Sequence, residues 1–178
     1  MNPAPPTVLK RILLLYITTV LTGCTGVLPG LMVKRLNWMD EVAQNKLAHS
    51  LPVINEKREA ELMKSMIAMG TESGLPTLAV EEFFKGQILA ARAYQEEWLS
   101  LHSTAAPFST EGLDLNKTVR PALDALGEEM IHGLVKDRES KRRERILASA
   151  RLKLQKAGYS EEVRAFAMEG LRAGLTLE

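Results

Sequence analysis

Recognition of a small dianion requires cations held where water does not screen them, and this chain has the side chains for it. Arg35, Lys46, Arg58, Gln95 and Arg120 are long polar residues set beside apolar stripes. Arg35 and Lys46 stand 11 residues apart, which is three helical turns to within about 20°, so one helix would carry both on one face. Their Cα atoms would then lie roughly 16 Å apart along the axis, room for two inward-leaning side chains to bracket a ligand of one ring. Both fall inside the stripe Met32, Leu36, Met39, Val42, Ala43 and Leu47 rather than opposite it. Arg58, with Glu59 beside it, opens a second helix, whose N-terminus itself favours anions. Gln95 shares a face with Phe84, Ile88 and Ala91, and its uncharged amide donates a hydrogen bond at any pH. Each residue alone has an ordinary explanation, a surface cation with its stem laid on apolar surface. The set is informative because a purely structural bundle rarely bears several cations in an apolar interior.

The elements that must position these residues read as helices throughout. No stretch alternates apolar and polar positions with β-branched residues, and no Asn-Gly hairpin signal occurs. Helices are expected over about residues 29–49, 55–70, from after Thr77 through Trp98, 118–136, 140–156, and after a Ser160 cap with Glu162-Val163 close by. Ser50-Leu51-Pro52, Gly74-Leu75-Pro76, a loop with Pro107 and Gly112, and Gly158 separate them. Pro121 is tolerable only in the first turn of the fourth helix. The fold class is therefore all-α, a single-domain bundle of about six helices without internal repeats.

Residues 1–23 read as an export leader ahead of a domain over 24–178. Lys10-Arg11 form a positive start, and residues 12–21 an uncharged apolar run too short to span a bilayer. Leu21-Thr22-Gly23-Cys24 resembles the lipobox of bacterial lipoproteins, which makes Cys24 the first mature residue and the site of lipidation. The expected location is the periplasm, with membrane contact only through that anchor. A plain secretory leader, or a retained helix with Cys24 as an ordinary thiol, fits the same residues. Cys24 is the only cysteine, so the domain has no internal disulfide despite an oxidising destination. Cleavage removes two cations and no acid, taking the formal charge from +1 to −1.

Other signals point away from further chemistry. The net charge and the low aromatic content, 3 Tyr, 4 Phe and 2 Trp, give no sign of nucleic-acid binding. Lys141-Arg142-Arg143-Glu144-Arg145 mixes signs ahead of an apolar stripe and reads as a solvated helix face. His49, His102 and His132 lack ligand spacing, so no metal site is expected. Trp38 and Trp98 read as packing, and Met63, Met66 and Met69 as core filler at helical spacing.

The polar set has a counterpart in a known family. Arg35, Lys46 after 11 residues, Arg58 after 12 and Gln95 after 37 resemble the chorismate mutases of the all-helical class. Leu51-Pro52-Val53 leading into Asn55-Glu56-Lys57-Arg58-Glu59, and Phe84 with Gln87-Ile88, agree with it. Asp114-Leu115, Val119-Arg120 and Asp124-Ala125-Leu126 are similar to the exported subclass, in which a second helical half completes a site enclosed within one chain. The resemblance implies rearrangement of chorismate to prephenate with no cofactor, and a homodimer; from the 178 residues themselves no fused second catalytic domain is expected. It implies that Arg35, Arg58 and Arg120 hold the two carboxylates, and that Lys46 and Gln95 flank the ether oxygen. Glu59 would accept from the ring hydroxyl, with Asn55 close to it. Two positions depart from the family pattern. Ala91 stands where relatives often have Ser or Thr, and Gln95 where some exported relatives have Glu. The other reading of the chain is a helical envelope lipoprotein that binds a partner or small anion without chemistry.

Overall fold

The computed structural model describes residues 26–102, 114–140 and 142–178; the leader, Cys24 and the loop holding Pro107 and Gly112 lie outside them. Among the described residues every regular element is helical. In chain order these are α1 (Leu28–Asn37), α2 (Met39–Ala48), α3 (Glu56–Glu72), α4 (Thr77–His102), a π-helical turn (Leu115–Val119), α5 (Arg120–Glu139), α6 (Arg143–Lys156) and α7 (Glu161–Thr176).

The boundaries follow local chemistry. Asn55 caps α3 by accepting from the Arg58 N–H at 3.0 Å, and Ser160 caps α7 by accepting from the Val163 N–H at 3.2 Å. Gly74 and Gly158 take positive φ after α3 and α6, the conformation that ends a helix and that Cβ-bearing residues resist. Pro121 lies in the first turn of α5, as its missing N–H requires. The expected helix over residues 29–49 is two helices bent at Trp38, whose N–H reaches back only three residues to the Arg35 carbonyl. Arg35 and Lys46 therefore sit on two successive helices rather than on one continuous rod.

The π turn has no counterpart in the sequence reading. Val119 N–H bonds to the Asp114 carbonyl five residues back, and Arg120 N–H to that of Leu115. Pro121, next in line, has no N–H to give, so widening the turn just before it forfeits little. Asp114 secures the entry by accepting from Asn116 N–H at 2.8 Å and Lys117 N–H at 3.1 Å.

α4 is the spine of the bundle. Its 26 residues run about 39 Å, with α7 along one side and α2 and α3 on others. α1 lies against α5 and α6. Phe83 and Phe84 are fully buried and meet edge to face at 5.1 Å. α4 and α7 approach most closely at Gly86 and Gly170, where a Cβ on Gly86 would sit 2.6 Å from the Gly170 Cα. α1 is tied down by Asp137 near the end of α5, which accepts from Val27 N–H at 3.0 Å and Leu28 N–H at 3.1 Å. No helix among the described residues is long and apolar enough to cross a membrane.

Candidate active site

Where α1, α2, α3, α4 and the start of α5 converge they leave a cavity of about 710 Å³, counting the space open at its mouth. Met39, Val42, Leu62, Ile88, Leu115 and Leu123 give it apolar walls. The polar groups on its lining are Arg35, Lys46, Asn55, Arg58, Glu59, Arg92, Gln95, Arg120 and Asp124. All seven residues expected of the site from the sequence are therefore brought together, from five elements. A mostly apolar cleft with a few convergent polar groups is the usual form of a small-molecule site.

Arg35 is the deepest cation, 5% exposed on the buried face of α1. Its Nε and Nη1 are buried and find no hydrogen-bond acceptor among the described residues. Burial, and then repulsion from Arg58, push its pKa down to about 10, with Asp124 opposing. A guanidinium held this way at a cost in desolvation is poised for an anion. Arg58 is less deep and pairs with Asp124 of α5. This pair links α3 to α5 at the cavity wall.

Lys46 projects from α2 and donates to the carbonyl of Val53, another lining residue, in the connection to α3. Burial is the main cause that brings its pKa down to about 8. Glu59 pulls the other way, and Arg120 and Arg92 add to the lowering. Glu59 is gripped by Arg92, whose Nε donates to Oε1 at 3.0 Å while Nη2 donates to Oε2. This two-point geometry suits a guanidinium and a carboxylate. The same hydrogen bonding is the main reason the Arg92 pKa is raised.

Gln95 is 5% exposed. Its amide nitrogen donates to the Ala91 carbonyl at 2.9 Å and lies 3.5 Å from the Met39 sulfur. The hydrogen that reaches the Met39 sulfur is held by a weak acceptor, which a ligand oxygen could displace. Arg120, partly buried in the first turn of α5, donates to Asn116 in the π turn. Asn55 has its side-chain oxygen engaged as the α3 cap and contributes to the rim.

The sequence reading passed over two lining residues as site members, Arg92 and Asp124. The signal for Arg92 was present: Ile88, Ala91, Arg92 and Gln95 follow the i, i+3, i+4, i+7 spacing of one helical stripe, and all four line the cavity. Asp124 lies one turn after Arg120, so its place follows once α5 is known to start at Arg120.

Chemically, the arrangement offers separated cations for two anionic groups, and a lysine and an amide as hydrogen-bond donors between apolar walls. Residues 28–96 match the family model of chorismate mutase type II. No curated relative matches the chain by sequence. Among solved structures, the chorismate mutase from Burkholderia phymatum is similar with a TM-score of 0.68 and 25% identity, over 85% of this chain and 94% of that one. The chorismate mutase from Burkholderia thailandensis gives 0.69 and 22%, over 83% and 96%. The secreted chorismate mutase from Yersinia pestis gives 0.70 and 18%, over 81% and 94%.

Proposed function

We propose that this chain, whose residues 28–96 match the family model of chorismate mutase type II, converts chorismate to prephenate. The carrying observation is the buried guanidinium of Arg35, with two nitrogens unpartnered among the described residues, in an apolar cavity shared with Lys46, Arg58, Gln95 and Arg120. The reaction is a unimolecular rearrangement in which the ether bond breaks as a carbon–carbon bond forms, so no nucleophile, metal or cofactor takes part. Negative charge develops on the ether oxygen while positive charge spreads into the ring.

In this reading Arg35, Arg58 and Arg120 bind the carboxylates and hold the substrate in its compact, reactive conformer. Lys46 and Gln95 donate to the ether oxygen, where donors set in advance gain strength as the charge builds. Glu59 accepts from the ring hydroxyl, with Asn55 near it. The chain works outside the cytoplasm, in the periplasm, after removal of residues 1–23, with Cys24 as a lipid anchor and the domain as a homodimer. The likeness to a secreted chorismate mutase supports export.

Chorismate loses ultraviolet absorbance as prephenate forms. Addition of the purified chain to chorismate should produce that loss, with R35A abolishing it. A flat trace with folded protein favours the other reading, an envelope protein that binds a small anion without chemistry.

A further inference from the structure

The substrate proposed above is a dianion, yet the cavity that would take it contains Glu59, 21% exposed at its side chain. An uncompensated carboxylate there repels the ligand and attracts the ammonium of Lys46, the group wanted for the ether oxygen. Arg92 of α4 occupies both oxygens of that carboxylate. Its own stem lines the cavity one residue beyond Ala91 and one turn before Gln95.

We infer that Arg92 is a positioning residue of this site: it clamps Glu59 in a fixed orientation toward the ring hydroxyl and neutralises the charge that Glu59 would otherwise turn on the substrate and on Lys46. Two-point pairing leaves each carboxylate oxygen a further lone pair, so Glu59 remains an acceptor while it is held. The groups facing the cavity are Arg35 from α1, Arg58 and Glu59 from α3, Arg92 from α4, and Arg120 and Asp124 from α5. Of these, Glu59, Arg120 and Arg92 act directly on the charge state of Lys46. Arg92 therefore affects Lys46 twice, by its own repulsion and by occupying the one carboxylate that favours the ammonium form.

This inference rests on the proposed substrate for its kinetic part, while its electrostatic part needs no substrate and stands on the Arg92–Glu59 pairing in the cavity shared with Lys46, so the test has two arms. In the first, the Lys46 side chain is titrated by nuclear magnetic resonance on the lysine-labelled chain without substrate. R92M should raise its midpoint by roughly half a pH unit or more, and R92K should restore most of the original value. R92Q gives the same readout if R92M lowers the yield of folded chain. An unchanged midpoint in a folded R92M or R92Q chain overturns the inference and leaves Arg92 as a mere helix tie.

In the second arm, R92M should raise the KM for chorismate about tenfold with a smaller change in kcat. The double variant E59Q/R92M should recover most of that KM, because no unmatched carboxylate remains. A double variant no better than R92M overturns the proposed charge compensation. If the wild-type chain leaves chorismate unchanged, the proposed activity fails, while the substrate-free titration still decides the role of Arg92.

Discussion

Arg35, Lys46 and Gln95 are each held at a cost in burial that the proposed substrate would offset. Arg35 is desolvated with two nitrogens unpartnered among the described residues. Lys46 is held near a pKa of about 8, where a slight rise in pH strips its charge. The sign is fixed: the ammonium form predominates below about pH 8, and in the proposed mechanism it is the form that would balance a developing oxyanion. Accordingly kcat/KM, which reports the free enzyme, should fall as pH rises through about 8. The bound dianion favours the ammonium, so the fall in kcat should lie at higher pH. K46R should lose the fall near 8, and K46A should cost about 10²–10³ in kcat. A basic limb unchanged in K46R would remove Lys46 from that role.

Gln95 makes a complementary case. A glutamate at this position would be buried against the Ala91 carbonyl, which repels a carboxylate, so its pKa would rise above the usual carboxylate range. Only its protonated form donates. Q95E should therefore be active at acid pH and decline as pH increases, whereas the wild type has no acid requirement from this residue. Wild-type activity of Q95E at mildly alkaline pH would contradict the donor role.

The helices show how far packing sets the positions of these groups. α4 carries Ile88, Ala91, Arg92 and Gln95 to the cavity while its other side meets α7 at Gly86 and Gly170. A methyl group on Gly86 would sit 2.7 Å from the Phe166 carbonyl oxygen and closer still to the Gly170 Cα. Backbone cannot step aside as a side chain can, so the two helices must move apart. G86A should lower stability by about 1–3 kcal/mol, or roughly 3–10 °C in Tm, measured by thermal denaturation. An unchanged Tm would mean that this contact is looser than it looks. The turn at Trp38 and the π turn before Arg120 belong here too. Neither has a strong sequence signature, because a one-residue change in hydrogen-bond register depends on what the neighbouring helices require.

For the molecule as a whole, the apolar pattern was sufficient to read an all-α bundle, with Ser160 read as a cap; the described residues have that form, and Asn55 proves to be a second cap. Residues 141–145 were read as a solvated face, and 142–145 are exposed ahead of buried Ile146 and Leu147. The leader lies outside the described residues, and its expectation is chemical. Mass spectrometry of the native membrane fraction should find Cys24 as the N-terminal residue with its sulfur acylated. Unmodified Cys24 in a soluble product would exclude the anchor.

Residue type and helical spacing were enough to nominate Arg35, Lys46, Arg58, Glu59, Gln95 and Arg120 and the kind of ligand they suit, because charge, donor capacity and a 3.6-residue period are local properties; Asn55 came only from the family resemblance. The site itself came only from folding. Whether Arg35 lacks a partner, whether Glu59 is free or clamped by Arg92, and whether Arg58 meets Asp124 depend on pairs 33 and 66 residues apart in the latter two cases. Such pairings arise when α3, α4 and α5 pack, and with them come the burial and the fields that set how each group ionises.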